Sequence, residues 1–112
     1  EKIRQVLTNL IDNSYKYGKA NGLVEASVYK MDGRKILIEI SDDGSGISEE
    51  HIGRIFERFY RTDLARSRKV GGSGLGLAIC KHIIEAHEQT IHVRSTSDVG
   101  TTFGFTLENK KD

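Results

Sequence analysis

The stretch LTNLIDNSYKYG, Leu7 to Gly18, decides how the rest of the chain is read. At about 100° per residue, Ile3, Val6, Leu7, Leu10 and Ile11 gather on one side of a helix. Asn9, Asn13 and Lys16 fall at i, i+4 and i+7 and stack as a polar stripe on another side. Asp12 borders the stripe, and Tyr17 sits where stripe and apolar face meet. Amide oxygens in such a row can hold a hard cation such as Mg²⁺, an ammonium can hold a phosphate, and a ring can pack on a base. The same residues can equally form the solvated side of an amphipathic helix, so the decision passes to the sequence on either side.

Downstream, Gly18 suits a helix C-terminal cap, and Lys19 to Gly22 read as a short polar loop. Two alternating runs follow, LVEASVYK and RKILIEIS. A two-residue Asp-Gly turn between them would set their apolar faces at odds. A three-residue loop, Met31-Asp32-Gly33 with Gly33 left-handed, instead pairs Val28 with Ile36, Ala26 with Ile38 and Val24 with Ile40. Ser48, followed by Glu49 and Glu50, reads as an N-cap with acids in the first turn of a helix SEEHIGRIFERF, whose apolar side is Ile52, Ile55, Phe56 and Phe59. From Leu75, Ala78, Ile79, Ile83 and Ala86 recur at helical spacing. Two further alternating runs, TIHVRS and GTTFGFTL, are joined at Ser97 to Gly100. Three helices and four strands predict an α+β fold: a two-layer α/β sandwich whose mixed, mostly antiparallel sheet carries the helices on one face.

The 112 residues predict one domain over 1–112 with a single modest core. With 37% hydrophobic and 29% charged residues, the composition is that of a folded chain rather than a disordered one. A net charge of +1 points to no general nucleic-acid or membrane surface. No apolar run approaches membrane-spanning length. The lone Cys80 lies in a helical apolar pattern, which predicts a buried, inert thiol and a reducing, cytoplasmic setting. No Cys/His cluster suggests a metal centre.

Two glycine clusters punctuate the chain. In DDGSGI, Asp42 ends a strand and Gly44 and Gly46 follow, letting backbone approach a flat ligand while a carboxylate accepts from an amino group. Adenine carries such a group; guanine presents a carbonyl there. The second cluster, Gly71-Gly72-Ser73-Gly74-Leu75-Gly76, opens a helix, where free N–H groups make an anion site. No Lys-Ser or Lys-Thr follows, which excludes a Walker A loop, and a Glu at position 49 excludes the dinucleotide fingerprint. Between the clusters, Arg58, Arg61, Arg66, Arg68 and Lys69 face one acid, Asp63, as suits a lid over a polyphosphate.

The order of these pieces, NLIDNSYKY, DDGSGI, IFERFYR, GSGLGLAI and GTTFGF, resembles the N, G1, F, G2 and G3 boxes of the ATP-binding catalytic domain of sensor histidine kinases, in the superfamily with DNA gyrase and mismatch-repair ATPases. The resemblance spans Gln5 to Leu107 and implies the Bergerat-type ATP-binding fold, with ATP and Mg²⁺ as cofactors. It implies that Asn13 ligates Mg²⁺ with Asn9 beside it, that Lys16 contacts phosphate, and that Tyr17 packs on the nucleotide. Asp42 would read the adenine amino group, in a pocket shaped by Gly44, Gly46 and Ile47. Tyr60 and Arg61 would belong to the lid, with Arg61 nearest the triphosphate. Gly72, Gly74, Leu75, Gly76 and Leu77 would receive the phosphates at the helix start, and Thr101 would join the adenine network. By the same resemblance, Asn9, Asn13, Lys16 and Arg61 would carry the transfer of the γ-phosphoryl group.

In that family the acceptor is a histidine on a preceding dimerisation module, in a His-Glu context. His87-Glu88 matches superficially but follows the G2 helix, and His51, His82 and His92 have no such context, so all four read as structural or surface residues. The implied partners are the protein's own dimerisation and phosphoacceptor domain and, through it, a response regulator, in a membrane-anchored homodimeric parent whose catalytic portion is cytoplasmic. The family has a strand before the N-box helix that this chain begins too late to contain, which leaves a sheet edge unpaired. It often has two glycines where this chain has Glu88 and Gln89, which puts that turn's geometry in question. A self-sufficient ATPase of the same superfamily would carry a Glu four residues before Asn13 as general base. Asn9 stands there and cannot take a proton at neutral pH. A catalytically silent nucleotide-binding module is the third alternative.

Overall fold

The computed structural model describes residues 2–17, 22–58, 76–96 and 98–108, the side chains of Lys16 and Tyr17 excepted. Helix α1 spans Lys2–Tyr17; strands β1 (Val24–Lys30) and β2 (Lys35–Asp42) form a hairpin; a four-residue helix α2 (Glu49–Ile52) and helix α3 (Gly76–Ala86) follow, and β3 (Ile91–Thr96) and β4 (Gly100–Glu108) form the second hairpin. The sheet order is β1-β2-β4-β3, and every neighbouring pair is antiparallel. The expected sheet was mixed; among the described residues it is wholly antiparallel, since two hairpins meeting through β2 and β4 need no parallel crossover.

Inward-facing residues of one sheet face make the core with the helices. Ile40, Phe103 and Phe105 pack with Val6 and Leu10 of α1 and with Cys80, Ile83 and Ile84 of α3, while Ile38, Ile91 and Val93 lie at the margin. Phe56 meets the Phe103 ring edge-on, with centroids 6.1 Å apart. The opposite face is polar. There Ser41 and Thr102 share a hydroxyl bond of 2.8 Å, and Arg94 donates to Glu39 at 2.8 Å. Glu39 is nearly buried under that guanidinium, whose own protonation the pair strengthens.

Four expectations shift. In α1, Ile11 is exposed and Ser14 is fully buried, because the buried row runs Val6, Leu10, Ser14 at i, i+4, i+8. In α3 the buried row is Cys80, Ile83 and Ile84, with Ala86 exposed. The second helix ends at Ile52; from there Arg54 N donates to His51 O and Glu57 N to Arg54 O, a run of tight turns that still buries Ile55. Ser48 caps through its carbonyl, which receives His51 N and Ile52 N at 3.0 Å, and not through its hydroxyl. Phe59 lies outside the described residues.

The first hairpin keeps a three-residue loop with Gly33 left-handed (φ 73°), but the loop is Asp32-Gly33-Arg34. Met31 N donates to Lys35 O at 2.9 Å. Val28 therefore lies opposite Ile38, Ala26 opposite Ile40 and Val24 opposite Asp42. A shift of two preserves which faces meet, so side-chain alternation could not detect it. At the end of α3, Glu88 N donates to Glu85 O and Gln89 N to Ile84 O, with Glu88 at φ 60°. The helix closes in a Schellman turn with Glu in the position that favours Gly. The questioned turn thus keeps its geometry.

Candidate functional site

Helices α1 and α3 run antiparallel, pinned at two points. Cys80 Sγ–H donates to Val6 O at 3.8 Å, and one turn on, Asn9 Nδ2 donates to Gly76 O at 3.4 Å. Burial pushes the Cys80 thiol up to about 11, as an inert thiol requires. Past Gly76, α1 continues over the sheet with no other helix beside it among the described residues. That overhang carries Asn13, half-buried, and Ser14, whose buried Oγ has no hydrogen-bond partner among the described residues. Asp12 points to solvent. Lys16 and Tyr17 occupy the last turn of α1.

The overhang ends near the start of β1, and Leu23 N donates to Asp43 Oδ1 at 2.9 Å. This is the Asp42 end of the sheet. Asp42 stands directly opposite Thr101, so both side chains leave the same face, the one that Ile40 and Phe103 share. Gly44 N donates to Asp42 Oδ1 at 2.9 Å, which fixes the carboxylate and leaves Oδ2 without a hydrogen bond among the described residues. Gly44 itself is buried.

The loop after Asp42 is tied to the second hairpin. Asp98 N donates to Ser45 O at 2.7 Å and Ile47 N to Ser95 Oγ at 2.7 Å. Gly46 (φ 79°) lies so close to the Thr96 carbonyl that a Cβ would overlap it, and a Cβ on Gly100 would overlap the Asp42 carbonyl. These two glycines answer to backbone meeting backbone. Among the described residues nothing lies close to a Cβ placed on Gly76, so none of them demands glycine there.

The structure thus brings together Asp42, Gly44, Gly46, Ile47 and Thr101 at one sheet end, with Asn9 and Asn13 on the helix above. Gly76 and half-buried Leu77 lie at the α1–α3 contact. Tyr60, Arg61, Gly72, Gly74 and Leu75, and with them the lid from 60 to 73, lie outside the described residues. Three residues of the site were missed. Asp43 ties down the start of β1, Ser14 brings an unpaired hydroxyl, and Ser95 bonds to Ile47, Gly100 and Thr101 together. Ser95 was legible in principle, because a hydroxyl at the inward position after Ile91 and Val93 breaks the apolar alternation.

The donor set suits an adenine nucleotide. The Asp42 end offers an oriented carboxylate and a glycine-containing loop, and α1 carries a buried hydroxyl with no partner among the described residues, which is what a bound ligand would satisfy. Asn13 is the kind of neutral oxygen ligand that leaves most of a Mg²⁺ shell to phosphates and water. No group of three or more His, Cys, Asp or Glu able to hold an ion exists among the described residues.

Residues 1–111 match the family described as histidine kinase-, DNA gyrase B-, and HSP90-like ATPase. The chain is 43% identical over 113 residues to the sensor histidine kinase WalK of Bacillus subtilis, a match covering 100% of this chain and 18% of WalK. Among solved structures it resembles the mycobacterial sensor histidine kinase MprB (TM-score 0.85, 28% identity, 99% of this chain and 72% of that one). It also resembles full-length ShkA in complex with AMPPNP (TM-score 0.82, 31% identity, 95% of this chain and 21% of that one). The chain spans 18% to 24% of the length of the curated relatives it matches first.

Proposed function

The chain belongs to the histidine kinase-, DNA gyrase B- and HSP90-like ATPase family, and from that premise we propose that it is the ATP-binding catalytic domain of a sensor histidine kinase. It binds Mg-ATP and donates the γ-phosphoryl group to a histidine on a separate dimerisation module, in two-component signalling. The observation that carries the reading is the Asp42 carboxylate, on the strand position opposite Thr101, with Oδ1 held by Gly44 N and Oδ2 without a hydrogen bond among the described residues. That oxygen accepts from a 6-amino group and repels a 6-carbonyl. The bound AMPPNP of ShkA supports the same reading.

In this reading Asn13 holds Mg²⁺, which neutralises phosphate charge when bound. Asn9 orients the start of α3 through Gly76, and Lys16 and Tyr17 receive phosphate and base. Tyr60 and Arg61 serve as lid residues for the triphosphate, and Gly72, Gly74 and Leu75 as further phosphate-contacting residues. Phosphoryl transfer asks the protein mainly for position and charge, which these residues supply. Asn9 also separates this reading from the self-sufficient ATPase, because an amide cannot activate water as a base. The partners are the protein's own phosphoacceptor domain and, through it, a response regulator. The parent is a membrane-anchored homodimer with this portion in the cytoplasm.

Two measurements test the proposal. Incubated with γ-labelled ATP, the chain should stay unlabelled and should label an added helical hairpin carrying the parent's acceptor histidine; acid-labile label on the chain itself would contradict it. Asp42→Asn turns an acceptor toward the amino group into a donor and should weaken ADP by roughly 1–3 kcal/mol in calorimetry with folding nearly unchanged. Equal ADP affinity would remove Asp42 from the site.

A further inference from the structure

Ser95 is the most heavily engaged hydroxyl near the Asp42 end. Its Oγ lies 2.7 Å from Ile47 N, 3.0 Å from Gly100 O and 2.9 Å from Thr101 Oγ1. A hydroxyl owns one proton and two lone pairs, so these three contacts can be assigned by counting. The Ile47 amide only donates, and takes one lone pair. The Gly100 carbonyl only accepts, and takes the proton. The remaining lone pair can only accept, so the proton in the Ser95–Thr101 bond comes from Thr101. Thr101 is buried and has no second proton to give. Toward whatever lies beside Asp42 it shows lone pairs alone.

We infer that Ser95 is a positioning residue for base recognition: it fixes the Thr101 hydroxyl as a hydrogen-bond acceptor, and so makes the pocket select a purine with an amino group at C6 over one with a carbonyl there. The inference rests on the adenine-nucleotide reading above. The polarity holds whether contact is direct or through one water. In direct contact, an acceptor pairs with the C6 amino hydrogens and opposes a C6 oxygen. Through a water, one water proton goes to Thr101 and the other is left for the purine N1. Adenine N1 accepts that proton, whereas the 6-oxo purines carry a proton of their own on N1. Ser95 itself lies behind Thr101, and the loop amide of Ile47 shares its oxygen. Loop and strand are therefore set by one atom.

The test compares ADP with inosine diphosphate by calorimetry on the whole 112-residue chain. In the wild type, ADP should bind more tightly. Ser95→Ala frees the Thr101 proton to rotate toward the ligand, and the ratio of the two dissociation constants should fall by about tenfold. Ser95→Thr keeps the hydroxyl and should restore the ratio. In a Thr101→Val background, Ser95→Ala should leave the ratio where Thr101→Val put it, because nothing remains to be oriented. If the alanine variant fails to fold, Ser95→Cys keeps the volume while weakening each bond, and should give an intermediate ratio. A Ser95 that merely braces the loop would lower both affinities by one factor and leave the ratio alone. That result, in Ser95→Ala or Ser95→Cys, would overturn the inference and leave the proposed function standing. A wild-type chain that bound neither nucleotide would overturn both.

Discussion

Strands β1 and β4 both flank β2, both antiparallel and both alternating, yet their fates differ. In β4, Phe103 and Phe105 are completely buried, whereas in β1 every residue but Ser27 is exposed and Val28 is 66% exposed. Leu23, Val24, Tyr29 and Met31 extend that uncovered apolar margin. The difference does not come from pattern, since Val24, Ala26 and Val28 alternate as regularly as Thr101, Phe103 and Phe105. It comes from where the helices land. The core side chains of α1 and α3 pack on Ile40 of β2 and on Phe103 and Phe105 of β4, whereas edge strand β1, which α1 only approaches, adds no residue to that core. Alternation chooses a face; only the second layer decides whether that face is dry.

The sharpest way to break this contrast is to truncate one side chain in each strand. Phe103→Ala should lower stability by about 3–5 kcal/mol, since it opens a cavity against Phe56 and the helices. Val28→Ala should stay within about 0.5 kcal/mol, as surface changes do. Urea unfolding of both decides it, and a Val28 loss near the Phe103 value would mean that β1 is covered after all.

A second measurement probes how dry the covered half is. Burial raises the Cys80 thiol from 9.0 to about 11, so the folded state holds its proton more tightly than the unfolded chain does. The associated stability is whole below pH 9 and is lost as pH rises toward 11, on the order of 2–3 kcal/mol in all. Denaturant midpoints in Cys80→Ala should lack that decline; an identical alkaline decline in both proteins would place the thiol in water.

The smallest effect sits at the end of α3, where burial plays no part. Glu88, exposed at φ 60°, holds a left-handed turn that L side chains disfavour. Glu88→Gly should raise stability by about 1 kcal/mol, measured the same way. A loss instead would mean that the Glu88 side chain contributes more than its strained backbone removes.

Much of this was readable before any coordinates, and the failures share a cause. The order of helices and strands, the left-handed Gly33 and the buried Cys80 follow from periodicity and turn chemistry, which are local. Ile11, expected on the apolar side, is exposed and Ser14 is buried because an apolar stripe a hundred degrees wide has soft margins, and only the facing sheet settles which margin is covered. The hairpin register slipped by two because parity is encoded in every residue and loop position in only a few. The helix expected through Phe59 stopped at Ile52, since turns bury Ile55 and pack half-buried Phe56 against the core without a helix. At the site, Asp42 and Thr101 were visible as chemistry, but their neighbour Ser95 was not. Its break in the β3 alternation marks the position, but its importance lies in joining the distant Ile47 amide to Gly100 and Thr101 across the hairpin, which alternation alone does not announce.

The loop that follows Asp42 leans on the turn between β3 and β4 through Asp98 N to Ser45 O, Ile47 N to Ser95 Oγ, and the close seat of Gly46 on Thr96. Each of those amides can meet solvent only when loop and turn part. The parting is therefore a local breathing event, separate from unfolding of the Phe103 core, and it is also the event that would loosen the wall beside Asp42. Amide exchange at Ile47 and Asp98 then acts as a clock for how often the pocket opens. A ligand resting on Asp42 should slow that clock at Asp98, through the loop rather than through the Phe103 core.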